Sequence, residues 1–189
     1  MRGRPQRHYS IDDYFAVGES SATKHEYCRG EIFAMAGASL AHNRITANVL
    51  ATLHGPLIVR DCSAFASDFR VATPGGLYTY PDVTVVCGPV EIVPDRPDTV
   101  TNPVVLVEVL SEATGDYDRG EKFTFYKGIA TLREYLLIEQ ERVLVEHWQL
   151  RARTWRSRTL RRIDAVATLA SVGAVLPVRE IYRAVLPAT

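Results

Sequence analysis

Glu108 interrupts an otherwise aliphatic run, Val104-Val105-Leu106-Val107-Glu108-Val109-Leu110. Such a run reads as a strand buried on both faces. An acid in that setting needs a metal ion, a basic side chain or a retained proton, because desolvation penalises the charged carboxylate. Asp82 poses the same problem in Tyr80-Pro81-Asp82-Val83-Thr84-Val85-Val86, at the head of another apolar strand. Two carboxylates at the ends of neighbouring strands can converge on a hard divalent ion, which prefers oxygen ligands. Taken singly, each acid also suits a turn or strand edge.

Lys122 adds a cation. On a helix expected over residues 116–129 it shares a face with Phe125 and Tyr126, which would turn toward the sheet. An ammonium there can neutralise developing negative charge on a phosphoryl group or hold an attacking water; its alternatives are snorkelling and an ion pair with Asp118. Glu31, after the Arg29-Gly30 turn, can ligate a metal, accept from its water or pair with Lys122, or be an ordinary charge beside a turn. His42, near a helix start, suits a phosphate or water contact as well as a helix-surface or core role. Asp68 either faces the site or pairs with Arg70, and Tyr126 either hydrogen-bonds Lys122 or substrate or simply packs.

The elements that must position these residues follow from periodicity. Ser10 caps a short helix with Asp12 and Asp13 in its first turn and Gly18 at its end. Lys24–Cys28 and Glu31–Met35 read as paired strands. Ile45, Val49, Leu50 and Leu53 set out an amphipathic helix over 39–54 that Pro56 would stop. Strands are expected at 57–60, 64–72 and 80–87, with a Pro74-Gly75-Gly76 turn and a proline-punctuated loop over 88–102 that reads as a surface excursion or a lid. After the helix, strands at 134–138, 142–149 and 154–159 read as a meander, and a short helix follows Pro177.

With 189 residues, 47% hydrophobic and 23% charged, the chain suits one globular α/β domain, residues 9–189, preceded by a flexible polar segment, 1–8. No apolar run approaches the roughly 20 residues needed to span a bilayer, and the N-terminus lacks an apolar signal core; the expected compartment is the cytoplasm, with no membrane partner. Cys28, Cys62 and Cys87 are widely spaced without a CxxC pair and read as three ordinary thiols. The zero net charge conceals an asymmetry. Residues 1–150 carry 14 Lys/Arg against 20 Asp/Glu, whereas 151–189 carry eight against two, including Arg151, Arg153, Arg156, Arg158, Arg161 and Arg162. That cluster is either a phosphate-contacting patch or a solvated strand edge.

In order, Tyr80-Pro81-Asp82, Val107-Glu108-Val109-Leu110-Ser111 and Asp118-Arg119-Gly120-Glu121-Lys122 followed by Tyr126 resemble the PD-(D/E)XK nuclease superfamily, and more closely its Uma2-like (DUF820) endonucleases. Tyr27 through Gly37, and His42, resemble that family's opening strands and first core helix. The resemblance implies a restriction-endonuclease-like α+β core, a mixed central sheet flanked by helices with a C-terminal antiparallel meander. It also implies a divalent ion, Mg2+ with Mn2+ as substitute, at Asp82, Glu108 and the Val109 carbonyl, with a contribution from Glu31. The ion would activate water against a phosphodiester. Leu110 departs from the pattern by occupying the position where lysine follows the acid; the resemblance implies that Lys122 supplies the cation from the next helix.

The expected function is therefore metal-dependent cleavage of DNA, with His42, Ser111, Thr114, Arg119 and Tyr126 as candidate substrate contacts and a homodimer for cutting two strands. The alternatives are a catalytically inactive nucleic-acid-binding domain and a regulatory protein retaining the fold.

Overall fold

The computed structural model describes residues 8–186. The expectation of a flexible segment over 1–8 falls outside these residues except at His8. Among the described residues, no helix is long and apolar enough to cross a membrane.

The chain opens with α1 (Ile11–Ser20), held by a reciprocal cap: Ser10 Oγ accepts from the Asp13 amide at 3.0 Å, and Asp13 Oδ2 accepts from the Ser10 amide at 2.8 Å. The helix runs past Gly18. Strands β1 (His25–Cys28) and β2 (Glu31–Ala34) form the expected hairpin, with Arg29 and Gly30 at φ 46° and 98° in the turn.

Helix α2 (Leu40–Ile58) is capped by Ser39, whose Oγ accepts from the His42 amide at 3.0 Å. It passes through Pro56, so no strand forms at 57–60. The ring removes one helical hydrogen bond near the end, at a cost of about 3 kcal/mol. Continuation puts Leu57 in register with Ile45, Val49 and Leu53, all essentially inaccessible, and burying such a side chain contributes about 1.5–3 kcal/mol.

The class is the expected mixed α+β one, and its strands divide between two six-stranded sheets. One has the order β2-β1-β5-β4-β8-β7, with β4 (Arg70–Ala72), β5 (Leu77–Thr79), β7 (Ile92–Val93) and β8 (Arg96–Val100). The other has the order β12-β11-β10-β9-β6-β3, with β3 (Cys62–Ala66), β6 (Val83–Cys87), β9 (Val105–Leu110), β10 (Glu134–Glu139), β11 (Val145–Arg151) and β12 (Thr154–Leu160). Residues 64–72, expected as one strand, are therefore split between the sheets, and the strand expected over 80–87 begins only at Val83. Residues 88–102 are not a loop: they contain the β7–β8 hairpin, whose β8 pairs in parallel with β4. Pro94 lies in the turn between β7 and β8, and Pro97 in the part of β8 that precedes its pairing with β4 at Thr99 and Val100, so neither removes a bond from the β4–β8 ladder.

Strand β9 is buried at every position. Val105, Val107 and Val109 join α2 and the small β13 (Val166–Leu169)–β14 (Ala174–Pro177) hairpin in one core, while Leu106 and Leu110 join Phe123, Phe125 and Tyr126 in a second. Glu108 shares parity with the second set. After β9 the chain forms α3 (Gly115–Tyr117), a π-helical turn (Asp118–Lys122) and α4 (Phe123–Tyr126) in unbroken succession. Widened turns of this kind occur often at functional sites. Here Asp118, Lys122 and Tyr126 all face inward and are buried. β10 returns parallel to β9, β11 and β12 complete the meander, and α5 (Val178–Ile181) follows Pro177.

The cysteines correct the sequence reading. Antiparallel pairing of β3 with β6 sets Cys62 opposite Cys87, with Cα atoms 4.0 Å apart, and the two form a disulfide; Cys28 is free. No local spacing announces this pair, because only strand register makes it.

Candidate active site

Asp82 lies where the chain leaves the first sheet at Thr79 and enters the second at Val83. Continuing the β6–β9 register, which pairs Val83 with Val107, sets Pro81 against Val109. Proline has no N–H to offer a ladder. The Val109 amide instead donates to Asp82 Oδ2 at 2.7 Å. His42 Nε2, from the first turn of α2, lies 3.2 Å from the same oxygen. Asp82 is thus gripped from β9 and α2, and His42 belongs to its surroundings.

Glu108 Oε1 accepts from the Tyr126 hydroxyl at 2.7 Å and lies 3.0 Å from Lys122 Nζ. Tyr126 therefore orients the acid rather than Lys122. Lys122 also meets Glu26 Oε1 and Asp118 Oδ1, each at 3.3 Å. Glu26 itself accepts from the Thr79 hydroxyl. The hairpin acid on Lys122 is thus Glu26; among the described residues, Glu31 makes no ion pair with that ammonium. Sequence reasoning missed Glu26. Its signal was strand parity: Glu26 and Cys28 occupy the face opposite buried Tyr27.

Three acids around one buried lysine leave a local negative excess. Burial, abetted by Asp118 and Asp82, drives the Glu108 carboxyl well above its ordinary range against the opposing pull of Lys122 and Tyr126. Burial would lower the Lys122 ammonium, yet Glu108, Glu26 and Asp118 together hold it well above the usual lysine value. Among the described residues, Asp118 Oδ1 accepts no hydrogen bond and meets only the Lys122 ammonium.

The remaining candidates lie apart or have other partners. Ser111 and Thr114 bond each other through their hydroxyls at 3.0 Å, at the strand–helix junction. Arg119 is spanned by Glu139 at 2.6 Å and Glu146 at 2.7 Å. Asp68 pairs with Lys24 at 2.6 Å, and the acid on Arg70 is Asp98, 3.2 Å away. Arg156 and Arg158 are exposed on the edge strand β12.

The donor set suits a hard cation. Neither Asp82 Oδ1 nor Glu108 Oε2 accepts a hydrogen bond from the described residues. A residue's N–H and C=O leave an extended strand on the same side, so the Val109 carbonyl faces Pro81, which has no donor for it. Among the described residues no three His, Cys, Asp or Glu side chains converge as a complete cage. An ion held here would complete its shell with backbone, water and phosphate oxygens, as Mg2+ commonly does.

Comparisons agree with this architecture. The chain is 38% identical over 138 residues to "Uncharacterized protein sll1609" of Synechocystis sp. (strain ATCC 27184 / PCC 6803 / Kazusa), covering 72% of this chain and 78% of that one. It is 36% identical over 140 residues to "Uncharacterized protein slr1290" of the same organism, covering 72% of each. A solved structure from Anabaena variabilis ATCC 29413, described as "a putative nuclease belonging to DUF820", superposes with a TM-score of 0.71 at 16% identity, over 86% of this chain and 91% of that one. It shares the fold. Residues 11–179 match the Uma2 family, described as "Putative restriction endonuclease", and the chain belongs to that family.

Proposed function

We propose that this protein is a Mg2+-dependent endodeoxyribonuclease that hydrolyses phosphodiester bonds. The observation that carries the reading is the placement of Lys122 Nζ 3.0 Å from the buried Glu108 carboxylate, while Asp82 stands at the adjoining strand end with an uncommitted oxygen. Leu110 vacates the usual lysine position, and the helix lysine fills its role.

Asp82, Glu108 and the Val109 carbonyl would hold the ion, with a contribution from Glu31 and with Mn2+ as substitute. When bound, the ion supplies Lewis-acid polarisation of a phosphoryl oxygen and a lowered water pKa. The chain's own residues do the positioning. His42 and the Val109 amide fix Asp82, and Tyr126 fixes Glu108. Glu26 and Asp118 hold the Lys122 ammonium in place and charged, so that it meets negative charge developing on the phosphate. Arg156 and Arg158 supply nonspecific backbone attraction that weakens steeply with salt. The reading includes a cytoplasmic site of action and a pair of copies for cutting both strands, the latter by analogy alone.

A second reading, a nucleic-acid-binding or regulatory protein without turnover, draws support from the engagement of Lys122 by three carboxylates at once. Purified protein incubated with single- and double-stranded DNA and RNA, in Mg2+, Mn2+ or chelator, separates the two. Cleavage of DNA that needs metal and disappears in folded D82A and E108A supports hydrolysis. Equal cleavage by parent and the double-acid variant, or binding without cleavage in any metal, rejects it.

A further inference from the structure

Strand β2 lies at the edge of its sheet, and its register sets Phe33 opposite Glu26 and Glu31 opposite Cys28. Cross-strand partners project from the same face, with Cβ atoms about 4.5–5.5 Å apart. Phe33 therefore stands beside the acid whose carboxylate lies 3.3 Å from Lys122 Nζ. Continuing the β1–β5 register puts Thr79 on the other side of Glu26, and the Thr79 hydroxyl bonds that acid. One row of side chains, Thr79, Glu26 and Phe33, thus runs from the strand that leads into Asp82 out to the sheet edge. Ile32, of opposite parity, packs with Tyr14, Phe15 and Tyr27 on the far face, whereas Phe33 is 48% exposed.

The exposure continues along the chain. Residues 32–41 carry no charge in a protein that is 23% charged, and 33–34 and 36–40 are exposed, Leu40 at 68%. The next residue is His42, whose Nε2 lies 3.2 Å from Asp82 Oδ2. An uncharged, largely apolar rim thus joins the Glu26–Lys122 side of the candidate active site to its Asp82 side. Single exposed apolar side chains are ordinary, but a contiguous run of them beside a site marks a contact surface.

Charge decides what that surface meets. A phosphate is recognised by cations, and residues 32–41 supply none; the charge that precedes them on the Phe33 face is the acid Glu31. A nucleobase presents a neutral flat face, and an exposed aromatic ring stacks on any of the four bases. In a duplex those faces are covered by neighbouring bases, so the rim meets one only where the strand is unpaired. Both ends of the rim adjoin residues of the site, so a strand lying in the site passes over it. We propose that Phe33 stacks on an unpaired base beside the scissile phosphate, which makes single-stranded or locally opened DNA the preferred substrate. The ligand class rests on the nuclease reading.

The test measures binding of labelled single-stranded DNA and of the matching duplex by anisotropy in Ca2+, a hard cation that takes oxygen ligands, with gels confirming intact strands. Phe33→Ala, Phe33→Leu and Phe33→Trp are compared with the full parent chain after circular dichroism confirms folding, and sedimentation records the oligomeric state of each. Phe33→Ala and Phe33→Leu are expected to bind the single strand about five- to hundredfold more weakly, the loss of one base–aromatic stack. Phe33→Trp is expected to keep parental affinity, and duplex binding to change little in any variant. Parental single-strand affinity in Phe33→Ala, full rescue by Phe33→Leu, an equal loss on the duplex, or a parent that binds no single strand overturns the proposal. A parent dimer that dissociates in Phe33→Ala without an aromatic requirement for DNA binding also overturns it, and identifies the rim as a contact between copies. Metal-dependent cleavage with no role for Phe33 would leave the hydrolysis reading standing alone; aromatic-dependent binding by a protein that never cleaves would do the reverse.

Discussion

Lys122 Nζ lies 3.0 Å from Glu108 Oε1, and both residues are almost wholly buried, so solvent does little to screen their contact. Its surroundings are acidic rather than neutral, since Glu26 and Asp118 complete the shell around the ammonium.

Removing the cation from that shell should be costly. Lys122→Met leaves buried carboxylates facing one another, and breaking a buried pair from one side typically costs about 3–5 kcal/mol. Urea unfolding should show this loss, with Glu26→Gln recovering part of it in the double variant through a coupling of about 0.5–3 kcal/mol. Strict additivity would mean that Glu26 and Lys122 do not interact.

Neutralising the acid should do the reverse. The folded-state pKa of Glu108 is raised by burial and by the neighbouring acids, so the folded metal-free protein binds that proton more tightly than the unfolded chain does. Its contribution to stability is present at low pH and is lost as pH rises through the folded value. Glu108→Gln should therefore stabilise the metal-free protein at alkaline pH by on the order of 1 kcal/mol, a Tm rise of about 2–4 °C, while cleavage is lost. A lower Tm at high pH would contradict this account.

The opposite sign applies at the C-terminal hairpin. Glu134 Oε1 accepts from the Ser171 amide at 2.8 Å and its hydroxyl at 2.7 Å, while Oε2 meets His147 and accepts from Gln149 at 3.2 Å. Burial alone would raise its pKa, but the bonds from His147 and Ser171 win and hold it below 4.5. That stability is present above the unfolded value and is lost as pH falls through the folded one. Amides of β13 and β14 should exchange faster as pH falls below 4.5, after correction for intrinsic rates, and Glu134→Gln should remove the dependence.

The Cys62–Cys87 bridge closes a sequence separation of 25 residues. Loop-closure arguments assign such a crosslink about 3 kcal/mol. Reduction or Cys62→Ser should lower the melting temperature, and thiol titration of unfolded protein should count one thiol before reduction and three after it. A count of three in protein prepared without reductant would show that the bridge had not formed, as a reducing compartment favours.

Much of this arrangement could be read from local pattern. The aliphatic run around Glu108, the Arg29-Gly30 turn and the strands after residue 133 declare themselves through periodicity, because each is dictated by neighbours in sequence. Asp82, Glu108 and Lys122 stood out because charge amid apolar residues demands a partner. Glu26 did not stand out, since Thr79 and Lys122 reach it only through sheet topology. The disulfide depends in the same way on β3–β6 register, and α2 outran Pro56 because Leu57 gains more in the core than the local propensity suggests.

The central claim is a divalent-ion site built on Asp82 and Glu108, and calorimetric titration of Mn2+ into metal-free protein reads it without requiring the right substrate. The account predicts that the parent binds Mn2+ at a site lost in folded Asp82→Ala and in folded Glu108→Ala. Mn2+ bound with the same affinity and stoichiometry by parent and both variants would contradict it.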